Sequence, residues 1–382
     1  MLCDAVPEGE RGYAFGLLQS ASAAMSMLVS FGATSIARME LVGIMGWRVA
    51  HIVVASVSLL AGVAVQRYAA ARPPPPGDGT SWFAEQRRVL GKVASKPSFV
   101  IMVAQGVTGG VPWNAFAFLT FFFQLSGYND LRAGQIMLVG GIGGVLGGVF
   151  GGVMGDACAK LCGKSGRCFV AQTSVVFGTI AFLWLIHIPY GEGAGSLVLT
   201  MVASFLFYSV SCWTPAAALR PICGELFRSS HDRAQVLALW IALEGIISSF
   251  CGAPLVGLLS ELFGYTMPAQ PGAQPGAAER ERSRVALQKA LVGISVVPWT
   301  LCAFAWVPMY WTFPRDVEKA KLEDLAASGT SGGLEADTVG RGRESAGDPV
   351  GPAGASAKSG SDTELQGLVV AGRAADGAAR GG

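Results

Sequence analysis

Charge is the scarcest property of this sequence. Only 14% of its 382 residues are Asp, Glu, Lys or Arg, against roughly 25% in soluble proteins. The distribution is uneven too: of 28 basic and 26 acidic side chains, 19 fall in residues 315–382. The first 314 residues are too poor in charge to cover a soluble surface and too apolar to be disordered. A net charge of +2 gives no footprint for a nucleic-acid partner. No basic stretch precedes the first apolar run, which follows Asp4, Glu8 and Glu10, so no cleaved export signal is expected. The three histidines, His51, His187 and His231, are not spaced as metal ligands or a catalytic set. The eight cysteines lack the spacing of a secreted disulfide scaffold.

Long apolar runs are what the sequence does have. About 20 apolar residues cross a bilayer as a helix, and stretches of that kind cover 12–37, 49–66, 97–129, 133–155, 168–191, 193–219, 234–260 and 290–314. They far exceed the roughly 9–11 alternating residues of a membrane-barrel strand. The expected fold is an all-α polytopic membrane protein with eight transmembrane helices, its partner the lipid bilayer.

Two connections are long. Residues 67–97 hold the proline run at 73–76 and an amphipathic segment from Trp82 to Ser95, read as a surface helix on a basic membrane face. Residues 261–289 read as a Pro/Gly/Gln linker with a charged stretch. After Arg315 a short charged helix passes into Gly/Ala/Ser-rich low complexity. With the N-terminus inside, inner segments carry 16 Lys/Arg and outer ones 7, so both termini are expected to be cytoplasmic.

The first and seventh runs repeat. Glu10-Arg11-Gly12-Tyr13-Ala14 and Asp232-Arg233-Ala234-Gln235-Val236 each open with an acidic–Arg pair, and small residues then recur. Parallel repeats suggest two bundle halves, here with a period of six spans.

Between the fourth and fifth runs lies Gly151-Gly152-Val153-Met154-Gly155-Asp156-Ala157-Cys158-Ala159-Lys160. Gly-x-x-x-Asp with a basic residue four positions on resembles the signature loop of the major facilitator superfamily. Glycines allow close helix approach, and an aspartate there can pair with a neighbouring helix N-terminus and with a cation. Arg11-Gly12-x-Ala14-x-Gly16-Leu17 with Gly46-Trp47-Arg48 resembles that family's fifth and sixth helices. Pro221-x-x-x-Glu225 with Arg233-Ala234 resembles its loop between helices ten and eleven. Lys96-Pro97-Ser98-Phe99, Pro254-Leu255-Val256-Gly257 and Pro314-Arg315-Asp316 are similar to plant and protist members near the Spinster-like group.

The resemblance implies helices five to twelve of a twelve-helix fold. Residues 1–66 would be a remnant of the N-terminal bundle, 67–97 the cytoplasmic linker, 98–314 the C-terminal six-helix bundle and 315–382 a mostly disordered tail. It also implies transport rather than enzymatic activity, with a small-molecule substrate and no cofactor. Two functions compete. One is a secondary active transporter of a small organic solute, with a proton as the expected coupling ion. The other is a truncated or non-transporting membrane protein that needs a partner chain to complete its bundle.

Glu244 is the only ionisable group well inside a span. Such a carboxylate marks a proton-coupling or substrate site, or a neutral group locking two helices. The resemblance makes Gln105, Trp113, Asn114, Tyr208 and Trp213 cavity-lining, with helix packing as the alternative. Gly152, Asp156, Lys160, Glu225 and Arg233 form a candidate gating network at cytoplasmic turns, or else solvated, topology-setting charges. Glycines at 140, 144, 148 and 152, and at 143, 147, 151 and 155, make two smooth rows for a close helix, expected to be the first span with Ala14, Gly16, Ser20 and Ala24. Cys158, Cys162 and Cys168 cluster at one turn, but without histidine the zinc signal is weak; acylation or an unmodified thiol fits as well.

Overall fold

A computed structural model describes residues 6–37, 39–41, 43–68, 82–191, 193–227, 230–266, 276–323 and 325. The low-complexity run and much of the linker at 67–81 lie outside the described residues. The chain forms α1 (Arg11–Ile36), a two-strand hairpin of β1 (Glu40–Leu41) and β2 (Ile44–Met45), α2 (Gly46–Tyr68), α3 (Trp82–Ala94), α4 (Pro97–Ala115) and α5 (Leu119–Leu125). There follow α6 (Asp130–Cys162), α7 (Ser165–His187), α8 (Ala194–Ser211), α9 (Arg220–Leu226), α10 (Ser230–Cys251), α11 (Ala253–Leu262) and α12 (Ala277–Ala305). A last helix, α13, covers 309–323.

Seven helical stretches among the described residues are long and apolar enough to cross a membrane. The stretch at 97–125 is not one of them. It divides into α4, a tight turn at Phe116–Phe118 and α5, and α4 is diluted by Gln105, Thr108, Asn114 and three glycines. Two other runs break at proline. Pro215 opens a wide π turn, Pro215–Leu219, between α8 and α9. Gly252 and Pro254 separate α10 from α11, because a proline ring clashes with the carbonyl four residues back.

Two expected boundaries need correction. Residues 277–289, expected in a loop, are the first turns of α12. Their charges are helix formers, and Arg284 bridges Glu281 three residues earlier, at 2.6 Å. Residues 315–323, expected as a short charged helix opening the tail, are helical but continue α13 and pack on the bundle, with Val317 and Ala320 buried.

The apolar pattern is inverted relative to a soluble protein. Large apolar side chains such as Leu59, Leu60 and Phe250 face outward, where lipid would meet them. The interior holds two clusters. One is aromatic, with Phe116, Phe122, Phe182, Phe207 and Trp299. The other joins Phe99, Met102, Ile222, Trp306 and Phe313, and takes in Val89 and Val93 of α3. So α3 seats these two valines on protein. Lys92 then pairs with Asp232 of α10 at 2.9 Å.

Candidate functional site

The site grows from α6. Its glycine rows have different neighbours. On one row, a Cβ at Gly143, Gly147, Gly151 or Gly155 would run into Phe205, Ser209, Trp213 or Ala217, from α8 and the turn after it. The other row divides: Gly140 and Gly144 face Ser204, Tyr208 and Cys212 on the α8 side, and only Gly148 and Gly152 meet α1, where a Cβ at Gly16 would lie 2.8 Å from the Gly148 carbonyl and Ser20 Oγ donates to Val145 O at 2.6 Å. Gly12 extends the seam, since a Cβ there would lie 2.6 Å from Gly152 O. The backbones touch directly, which only glycine permits.

At the end of this seam sits Asp156, 6% exposed. It accepts from Gly12 N at 3.0 Å and Tyr13 N at 2.8 Å. These amides belong to the first turn of α1, where N–H groups have no partner within the helix, and a carboxylate is favoured at that end. Arg167 Nη2 of α7 donates to the same carboxylate at 2.7 Å, and Nη1 to Ala217 O at 3.2 Å. Arg167 Nε lies 3.4 Å from Glu225 Oε1, and Lys164 Nζ 3.3 Å from Glu225 Oε2. Asp156, Arg167, Glu225 and Lys164 thus form one chain of alternating charge, largely buried.

Of the expected gating residues, the structure brings together Gly152, Asp156 and Glu225. Lys160 is exposed, outside that chain, with its Cε beside Gly9. Arg233 donates to Phe227 O at 2.9 Å. The cation at the centre is Arg167, which sequence reasoning counted only as a topology charge. It follows Asp156 by 11 residues, across a turn closed by Gly163 at φ 68°.

A second seam joins α4 and α10. Gly106 and Gly110 cut a notch in α4, and Glu244 fills it: a Cβ at Gly106 would lie 2.7 Å from Glu244 Oε2. Two turns on, Asn114 Nδ2 donates to Ser248 Oγ at 3.1 Å. Glu244 faces a cavity of about 250 Å³ whose wall includes Gln19, Gln105, Trp113, Trp299 and Cys302. Gln105 donates to Met102 O at 2.8 Å and accepts from Cys302 Sγ at 3.7 Å. Among the described residues no cation pairs with Glu244.

A second cavity, about 410 Å³, adjoins the first through Gln19, Trp113 and Cys212 and is lined by Tyr208. Trp213 sits elsewhere. The break after α8 turns it over Gly151 and Phe150, rings 5.5 Å apart, rather than onto the walls of these two cavities. Gln19 was not foreseen, because one amide in an apolar run carries no motif; Arg220 Nη2 holds its Oε1 at 2.8 Å. Trp299 was missed for the same reason. The thiols separate: Cys162 is exposed and Cys168 buried. Among the described residues no three His, Cys, Asp or Glu converge as metal ligands.

Comparison with known proteins bears on the family and the fold. The family model described as Major Facilitator Superfamily matches residues 1–221, from before α1 to the start of α9. No curated protein matches the sequence significantly. Among solved structures, a bacterial homologue of the human lysosomal transporter Spinster, in an inward-facing and unoccupied conformation, is similar to this chain. Identity is 15%, the TM-score 0.50, and the match covers 81% of this chain and 68% of that one. That likeness concerns the fold. The family model spans more than half of the sequence, and on that basis the chain belongs to the major facilitator superfamily of multi-pass membrane transporters.

Proposed function

We propose that the protein is a secondary active transporter of a small organic solute, working by alternating access, with Glu244 at the coupling or substrate site. The observation that carries this reading is the cavity with Glu244 on its wall and, among the described residues, no cation paired with that carboxylate. A carboxylate inside a membrane bundle is costly unless it serves the transported species or a proton. The other titratable groups on the same wall are thiols, Cys302 from α12 and Cys212 from the turn after α8, while α4 contributes Gln105, Trp113 and two glycines.

Gating falls to the α1–α6 seam. The Asp156 carboxylate holds the first turn of α1, and separating the two helices removes both of its backbone donors at once. Gly152 lets the helices meet, Arg167 and Glu225 hold the carboxylate in place, and Lys160 and Arg233 flank the contact. We read 97–125 as an eighth span, and the spans as helices five to twelve of the family fold, with both termini cytoplasmic.

The test is proton flux in proteoliposomes driven by a panel of organic solutes. Solute-driven flux that is lost in Glu244→Gln supports the reading. Solute transport with an unchanged rate and pH profile in Glu244→Gln removes Glu244 from it. In a second reading a partner chain completes the bundle. One observation favours it: in α2, Gly46 alone is buried, so its apolar length lies open. Native mass measurement in lipid nanodiscs separates the two, because a stable second chain supports the partner.

A further inference from the structure

We infer that the Glu244 cavity is built for a small organic cation, a protonated amine with a short apolar body. This rests on the transport reading above and names its substrate class. Four observations converge. First, among the described residues Glu244 is the only charged side chain on the wall of this cavity. The nearby arginine, Arg220, lies behind that wall: its Nη2 holds Gln19 Oε1 at 2.8 Å, its guanidinium is 5.9 Å from the Phe15 ring centre, and its Nη1 has no hydrogen-bond partner among the described residues. An anionic solute would meet a carboxylate and no counter-charge on the wall itself.

Second, the facing wall is aromatic. Trp113 and Trp299 have ring centres 6.5 Å apart, inclined at 65°. The Trp299 indole N–H is already used, donating to Gly109 O at 3.2 Å. This fixes the ring, which is also packed against Phe116, Phe182 and Phe207 and only 4% exposed, so the π surface offered to a ligand is chiefly that of Trp113, 38% exposed. Tryptophan faces are the strongest of the side-chain π systems for cations. Third, the donors do not suit a metal ion. One carboxylate among amides, indoles and thiols falls short of the six to eight oxygens that calcium takes, and among the described residues no cluster of three acidic, His or Cys ligands exists. Fourth, about 250 Å³ is just below the roughly 300–1,000 Å³ of pockets for drug-sized ligands, so the amine is small. Its ammonium would lie between the carboxylate and the indoles, and its carbon body toward Val175 and Gly178.

The test is a charge series on the whole protein in nanodiscs. Butylammonium and phenethylammonium are titrated beside the alcohols and carboxylates of equal length, by calorimetry. The expected result is at least tenfold tighter binding of each ammonium than of its alcohol, with the carboxylate weakest. Tenfold corresponds to about 1.4 kcal/mol, the scale of one charge-assisted contact. The margin should vanish in Glu244→Gln and partly survive in Glu244→Asp, both checked for an unchanged unfolding midpoint. The wild-type series needs no variant: if neither ammonium exceeds its alcohol, the inference fails. A margin that persists in Glu244→Gln also overturns it. Flux in reconstituted vesicles separates this from the transport reading. Ammonium binding without flux supports the cation site and removes transport. Flux of an uncharged or anionic solute, indifferent to Glu244→Gln, keeps transport and removes the cation site.

Discussion

The α1–α6 seam and the α4–α10 seam use the same parts to opposite ends. Each sets glycines of one helix against its neighbour, and each places one carboxylate in the space they open. On α1–α6 the backbones themselves touch, at Gly12 and Gly152, and Asp156 finds two amide donors and a guanidinium. On α4–α10 the notch at Gly106 and Gly110 is filled by the carboxylate itself, and Glu244 is left without a protein cation. A buried charge that is fully partnered acts as a fastener, and removing one partner is strongly destabilising. A charge left unpartnered beside a cavity stabilises little and is available to something that arrives. What distinguishes structure from site is therefore what the acid meets.

Variants that cut one seam and spare the other should make the contrast measurable. The largest effect is expected from Arg167→Met, which leaves Asp156 and Glu225 buried without their shared cation. It should cost about 3–5 kcal/mol, read as a lower unfolding midpoint in detergent or nanodiscs. Gly152→Leu comes next, because a side chain there meets the Gly12 carbonyl; overpacking of this kind costs about 1–3 kcal/mol. Glu244→Gln should leave the midpoint unchanged or raised while abolishing solute coupling. If it destabilises as Asp156→Asn does, the two seams are alike and the contrast collapses. The smallest effect belongs to Lys92→Ala, which removes an ion pair whose lysine is 45% exposed. It should shift stability by less than about 1 kcal/mol, with transport retained.

The spans were readable because apolar length is a one-dimensional property. Their interruptions were less so. Pro215 and Pro254 carry a local signal for a break, but the division of 97–125 depends on packing around Phe116 in the aromatic cluster. Residues 277–289 were misjudged because charge density looks like a loop, while the Glu281–Arg284 pair suits a helix. At the sites, Asp156 stands out by spacing alone. Its cation does not, because Lys160 is nearer in sequence and Arg167 reaches Asp156 only when the chain reverses at Gly163. Gln19 and Trp299 belong to the cavity by virtue of six helices converging, a fact with no trace in any single segment.

One contact at the same end as the Asp156 charge chain bears on how the bundle is put together. The first turn of α4 is capped by a distant residue: Ser98 N donates to Asp316 Oδ2 at 2.9 Å, across 218 positions of sequence. During synthesis α4 is made early and its cap late. The helix therefore enters the bilayer with that amide still hydrated, and the contact closes only once α13 has emerged and docked its Val317 face. Assembly is thus a ring that the last described helix completes, and a chain cut before residue 316 would leave it open at the start of α4.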